Sequence, residues 1–322
     1  MTVDGTSARG RIRRVCVAAP TFRRPTQLAA LLEKLALQSF DPSKYSVRFV
    51  IIDNDNVPTA KPIVDQAKRS FKYPLHVVHV PEPGLSSVRN FALKYASESD
   101  DLLAMVDDDH VPEREWLSEL LRLWSLTNAD AVVGPAPAVF PPDGPEWVKN
   151  GRFFDSRTLA DGTEVNDGST NNCLLTLSAI RKMQLTFDYA FNFSGGEDQV
   201  FFREMAAKGG RIVWAARAVA PAAIPRSRMN IWYLTAREFR IGNTLALCDL
   251  RLRSSALFAS IRLIKAFGLI GLGAGSLMLQ TISRGRSGAA EAVCSVCRGA
   301  GMIAGVLGYR FPAYARPSRE VG

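Results

Sequence analysis

The chain has 322 residues, 47% of them hydrophobic and 22% charged. That is enough apolar material for a large core and about two domains, and it excludes collagen, low-complexity disorder and a small disulfide scaffold. The formal net charge of +9 invites a nucleic-acid or anionic-membrane reading, yet residues 1–225 carry 26 Lys+Arg against 27 Asp+Glu while residues 226–322 carry 14 against 4. The basic excess belongs to the C-terminal third, which disfavours nucleic acid as the partner of the rest.

The first 14 residues hold Arg9, Arg11, Arg13 and Arg14 without the apolar run of a secretory signal, so 1–13 reads as a flexible basic N-terminus. Residues 14–19 form a short apolar run ending at Pro20, a buried strand. A helix follows from Pro25 or Thr26, with Leu28, Leu31, Leu32 and Leu35 at helical spacing. The reading continues with a strand at 47–52, a helix at 61–71, a strand at 75–80, a helix at 87–96 after Gly84, a strand at 102–106, a helix at 113–127 and a strand at 131–134. Four prolines (Pro137, Pro141, Pro142 and Pro145) open an irregular stretch to about 172. A strand at 173–177, a helix at 197–208 and a strand at 211–214 complete the unit. Strict strand–helix alternation predicts an α/β fold, a mostly parallel sheet with helices on both faces, over residues 14–225. Ligands of such sheets bind beyond the carboxyl ends of the strands, and the polar clusters 21–24, 53–56 and 107–110 all fall there.

Three of these patterns carry chemistry. Asp107, Asp108 and Asp109 end the fourth strand. Adjacent carboxylates repel, so a cation beside them, such as Mg²⁺ or Mn²⁺ shared with a phosphate, explains the run; a solvated acidic turn before the next helix explains it too. Glu197 and Asp198 follow Gly195 and Gly196 at a helix start, as caps or as a general base presented by glycines. Residues 84–90 place a glycine turn, Arg89 and Asn90 beside a strand end, where backbone N–H groups and a guanidinium would hold phosphate or a base. The tryptophans lack the basic interleaving of single-strand nucleic-acid binders. The five cysteines are odd in number and scattered, which fits a reducing cytoplasm. Cys294 and Cys297 have no second pair or nearby histidine, and read as packing.

Taken in order, 19–24 (APTFRR), 51–56 (IIDNDN), 84–90 (GLSSVRN), 106–109 (VDDD) and 195–198 (GGED) resemble the motifs of family 2 glycosyltransferases with a GT-A fold. The nearest likeness is the succinoglycan-type branch of bacterial exopolysaccharide enzymes, and it covers about residues 13–225. The resemblance implies a nucleotide-sugar donor, usually UDP-linked, held by Pro20, Thr21, Arg23, Asp53, Asn54, Asp55, Gly84, Arg89, Asn90, Asp107 and Asp108. The second acid of the family's nucleoside pair is Asn54 here, with Asp55 displaced by one. It implies Mg²⁺ or Mn²⁺ on Asp107 and Asp109 and catalysis by Asp198, with Glu197 beside it. One base and no second nucleophile fits inversion. The Q-x-x-R-W signature of processive synthases is missing, so single-sugar transfer is expected. Two other classes remain: a sugar nucleotidyltransferase, disfavoured because 18–24 has no glycine, and a non-enzymatic membrane adaptor.

Residues 226–322 read as a basic, all-helical, membrane-associating extension. The helix at 230–249, with Arg237 and Arg240 beside Trp232 and Tyr233, is expected to wall the acceptor site. The uncharged stretch 266–283 and the apolar stretch 289–309 form an apolar hairpin, about 254–310, through the pairs Gly271/Gly275 and Gly301/Gly305. Arg284 and Arg286 lie at its tip, and further basic residues flank both ends. As a helix 266–283 is ~27 Å long, short of a ~30 Å hydrocarbon core. An interfacial, peripheral or monotopic hairpin on the anionic cytoplasmic leaflet of the plasma membrane fits this charge pattern; a soluble helical pair is the alternative. The resemblance adds a lipid-linked saccharide as acceptor. The sequence leaves oligomeric state open.

Overall fold

The computed structural model describes residues 11–253 and 255–314. Chain order begins β1 (Arg13–Thr21), α1 (Pro25–Ala36), β2 (Tyr45–Asp53), α2 (Lys61–Ala67), β3 (Leu75–His79), α3 (Leu85–Ser97), β4 (Leu102–Val106), α4 (Trp116–Thr127) and β5 (Ala131–Val133). It continues with β6 (Ala138–Val139), α5 (Glu146–Lys149), β7 (Glu164–Val165), β8 (Asn172–Thr176), α6 (Leu177–Lys182), α7 (Glu197–Ala207), β9 (Ile212–Trp214), β10 (Ala222–Ala223), α8 (Ile231–Leu252) and α9 (Ala256–Val306).

Eight strands form one sheet in the order β3-β2-β1-β4-β8-β5-β9-β7. It is mostly parallel, with β8 antiparallel between β4 and β5, and β7 antiparallel at the edge. Alternation along the strands divides the core. Val15, Val17, Phe49 and Ile51 face Leu28, Leu31, Trp116 and Leu120 of α1 and α4. Cys16, Ala18, Val50 and Ile52 face Val88, Leu93, Ile180 and Phe201 of α3, α6 and α7. Each such fully buried Leu or Phe contributes ~1.5–3 kcal/mol, so both faces are covered, as parallel strands require.

Several boundaries differ from the sequence reading. The helix expected from residue 113 begins at Trp116, because Val111 and Glu113 donate their N–H groups to Pro221 and Val219 at 2.8 and 3.0 Å. The fifth-position strand β8 starts one residue earlier and hands Leu177 to α6. The helix expected to reach Phe71 stops at Ala67.

The C-terminal hairpin forms as expected, with its small-residue contacts elsewhere. Helix α9 breaks at Gly285, where φ is 57° and ψ −137°, a conformation open to glycine. The limbs 256–284 and 286–306 fold back on each other. A Cβ on Gly273 would lie 2.7 Å from the Ala292 carbonyl oxygen, and one on Gly299 2.6 Å from that of Ala266. Gly271 and Gly275, the expected packing pair, have nothing within 4 Å. Gly301 and Gly305 instead meet the backbone of Phe239 and Asn243 on α8. The second limb is therefore the inner layer, against α8. Its Glu291 takes Arg284, and its Arg298 takes Glu238 of α8. The first limb is the outer layer, exposing Leu257, Ile261, Ile264, Phe267, Leu272, Met278, Leu279 and Ile282.

Candidate active site

The strand register puts the polar clusters at one level. Thr21 pairs with Asp53, and Asp53 with His79. Across β4, the Thr21 hydroxyl donates to Asp108 at 2.8 Å.

On the β2 side the carboxylate of Asp53 is fully buried and shapes its own loop, accepting from the N–H groups of Asp55 (3.2 Å) and Ala60 (2.6 Å). Asn54 donates to the carbonyls of Val80 (2.8 Å) and Glu82 (2.6 Å), which ties β2 to the end of β3. Asp55 accepts from Arg23 Nε at 2.9 Å. That hydrogen bond, then the charge of Asp55, raises the Arg23 pKa above its ordinary value. Arg23 has a positive φ of 54° and sits exposed at the rim beside partly buried Pro20.

At the start of α3, Gly84 has φ 118°, and a side chain there would overlap the amide of Asn192. That amide donates to the Pro83 carbonyl at 2.9 Å and accepts from Ser87 N–H at 3.1 Å, so glycine is fixed by turn and contact together. Asn90 donates to the Phe187 carbonyl and accepts from the Phe187 N–H, both at 2.8 Å. Its amide thus braces the chain before Asn192.

The three aspartates divide. Asp107 is the open one, its side chain 31% exposed. Asp108 is buried and accepts from Thr21 and from Arg24 Nη1 (2.7 Å); burial pushes its pKa up, against the pull of Arg24. Asp109 also feels burial, but the hydrogen bond and charge of His110 (3.0 Å), with Arg24 (3.1 Å) and Arg228 (3.4 Å), outweigh it and hold the carboxyl at about 2. The offered ligand atoms of Asp107, Asp109 and His110 lie within 4.8 Å of one another. Two carboxylates and an imidazole suit Mn²⁺ or Mg²⁺, and the buried Nε2 of His110 lacks a hydrogen-bond partner. The sequence assigns the ion to Asp107 and Asp109 alone, and the geometry adds His110 to that pair as a third donor.

Glu197 and Asp198 have different surroundings. Glu197 is 1% exposed and forms an ion pair with Arg89, itself buried at 7%. Arg89 Nη2 lies 3.8 Å from Asp107, so this buried pair links α7 to the acid rim through α3. Asp198 is half-buried at the N-terminal turn of α7, accepting from Ser169 Oγ and from Gln199 N–H, each at 2.8 Å. Gly195 and Gly196 both have positive φ, 76° and 95°, and a side chain on Gly196 would overlap Thr244 of α8. The glycine pair thus lets α8 approach the turn that carries Asp198.

Four residues with clear parts here were not singled out from sequence. Arg24 was seen only within its motif. Arg228 and Ser169 lie far from the residues they serve, in segments without periodicity. Asn192 was hidden in a loop.

The chain matches the family model described as glycosyl transferase family 2 over residues 16–184. It is 33% identical over 224 residues to the succinoglycan biosynthesis protein ExoM of Rhizobium meliloti (strain 1021), covering 70% of this chain and 71% of that one. Among solved structures it resembles the mannosyltransferase PcManGT of Pyrobaculum calidifontis, in complex with GDP-Man and Mn²⁺, at a TM-score of 0.59 and 15% identity over 90% of this chain and 87% of that one. It also resembles residues 1–349 of TarS from S. aureus, in complex with UDP-GlcNAc, at 0.52 and 16% identity over 92% of both chains. The fold is thus GT-A-like, with its mostly parallel sheet flanked by helices.

Proposed function

The chain belongs to glycosyl transferase family 2, and from that premise we propose that it moves a single sugar, with inversion, from a nucleotide-sugar to a hydroxyl of a lipid-linked saccharide in exopolysaccharide synthesis. UDP is the nucleotide the motif set favours. The observation that carries the reading is the separation of the two acids after Gly196. Glu197 is tied to Arg89 in a buried ion pair, whereas Asp198 is half-buried and oriented by Ser169 and a backbone N–H.

In this reading Asp198 removes the proton of the acceptor hydroxyl as it attacks the anomeric carbon, a contribution of ~10²–10⁴-fold. Asp107, Asp109 and His110 would hold the divalent ion, which when bound neutralises charge on the departing diphosphate. Asp108 is committed to Thr21 and Arg24 and keeps the end of β4 in register with β1. Arg89 holds Asp107 in place through the pair with Glu197, so Glu197 is a positioning residue. The loop that Asp53, Asn54 and Asp55 shape offers the nucleoside side, with Arg23 at its rim.

The exposed apolar outer limb of α9 and the basic excess of residues 226–322 support a peripheral or monotopic seat on the anionic cytoplasmic leaflet of the plasma membrane. Lys265 and Arg286 are exposed on the hairpin. A membrane seat brings the cleft to an acceptor carried by lipid. UDP release from a panel of UDP-sugars, with and without EDTA, tests the enzyme class. Release that stops with EDTA and returns with Mn²⁺ or Mg²⁺ is expected; no release from any donor with metal present would overturn the reading.

A further inference from the structure

Helix α8 carries an aromatic and guanidinium line that the donor chemistry does not use. Trp232 is 82% exposed, the most exposed large hydrophobic residue described. Trp232, Ala236 and Arg240 follow one another at intervals of four along one side of the helix, a span of ~12 Å. The far end of the line meets the site, and so does the short turn that precedes α8: Arg228, in the 3-10 turn Arg226–Arg228, reaches Asp109 at 3.4 Å. Arg240 packs at Gly195, three residues before Asp198, where a Cβ would sit 3.1 Å from its Nη1.

The C-terminal segment completes the line. The Tyr309 carbonyl accepts from Asn243 Nδ2 at 2.8 Å, and Phe311 N–H donates to Asn243 Oδ1 at 3.0 Å, which lays the chain along α8. Tyr314 N–H then donates to the Phe193 carbonyl at 2.9 Å. The Arg240 guanidinium lies 5.6 Å from the Tyr314 ring centroid and donates to its hydroxyl at 3.3 Å. Phe193 and Tyr314 remain 40% and 44% exposed.

We propose that Trp232, Arg240 and Tyr314 form the subsite for the acceptor saccharide. The proposal rests on the glycosyl-transfer reading above and names what that reading leaves open: where the acceptor chain lies. The chemistry on the line matches a sugar. A flat, solvated indole offers an apolar face at low entropy cost, and the guanidinium and phenol offer donors for hydroxyls and ring oxygens. Arg228, just before the line, contacts the metal-side acid, and Arg240, at its end, packs at the base-side turn, so a saccharide stacked on the line would present a hydroxyl toward Asp198.

The test uses the full chain, the UDP-sugar that supports most UDP release, and octyl glucoside, galactoside and mannoside as acceptor probes, with acceptor KM, donor KM and UDP release into water measured separately. W232A and Y314A are expected to raise the acceptor KM at least tenfold and to leave donor KM and UDP release into water within twofold; W232F, which keeps an aromatic face, should rescue, while Y314F, which keeps the ring but loses the hydroxyl, should rescue only in part. Trp232 and Tyr314 sit at the surface, so folding is checked by an unchanged Tm. An acceptor KM unmoved in W232A, or donor and acceptor KM rising together, overturns the subsite while leaving the enzyme class standing. Absence of UDP release by the unaltered protein overturns the class, and the subsite with it.

Discussion

Replacing Glu197 by Gln separates the two acids of the motif. The substitution keeps size and removes the charge facing Arg89. Both side chains are buried, at 1% and 7% exposure. Losing one partner of a buried ion pair costs ~3–5 kcal/mol, because the other charge stays in low dielectric. Here Arg89 keeps a second acid: Asp107 lies 3.8 Å away but is 31% exposed, so its attraction is screened and recovers only part of the loss. The expected destabilisation is therefore near the lower end, about 3 kcal/mol, read as a shift in the urea midpoint at unchanged m. The double variant R89M/E197L removes both charges and should regain most of that stability, with Asp107 left to repel its neighbours. Activity distinguishes further. E197Q should retain measurable transfer with an unaltered pH–rate profile, because Glu197 gives or takes no proton. Loss of transfer below a thousandth at unchanged stability would refute the argument and make Glu197 the base.

Two further outcomes follow from other parts of the molecule. The outer limb of α9 exposes Leu272 and Met278 at 73% and 77%; since burying such a side chain is worth ~1.5–3 kcal/mol, L272E/M278E should cut binding to anionic liposomes at least 100-fold in flotation while leaving Tm unchanged, and equal flotation would rule out that face as the membrane seat. Asp109, held at about 2 against an ordinary value near 3.9, has a folded pKa below the unfolded one, so its stabilisation of ~2.6 kcal/mol is complete above about pH 5 and is lost as pH falls through 2. In metal-free buffer D109N should flatten unfolding stability in that window, and an identical pH dependence in both proteins would contradict the assignment.

The α/β unit was legible because continuous apolar runs alternate strictly with helical periods along the chain, as strands buried on both faces require. Val15 and Val17 point one way and Cys16 and Ala18 the other, and the acids stand where such runs stop. Side-chain partnerships across sequence were not. Nothing in the order of residues tells that Arg24 answers Asp108 and Asp109, or that Ser169, inside a proline-marked stretch without period, orients Asp198. The roles of Glu197 and Asp198 could not be divided from adjacency, since neighbours on a helix differ by ~100° in direction, and only the fold puts Arg89 beneath one of them. The hairpin was visible as two apolar runs with arginines at the turn. Its glycine contacts were misplaced because a G-x-x-x-G spacing marks one helix face without saying what that face meets. Gly301 and Gly305 meet α8, and Gly273 and Gly299 join the limbs.

The most direct test of the central claim is single-turnover transfer by D198N with donor, metal and acceptor saturating. The account predicts donor affinity within twofold of the unaltered protein and a transfer rate reduced at least 10²-fold, in keeping with the loss of a general base. Transfer at the normal rate would remove Asp198 from the reaction and contradict the account.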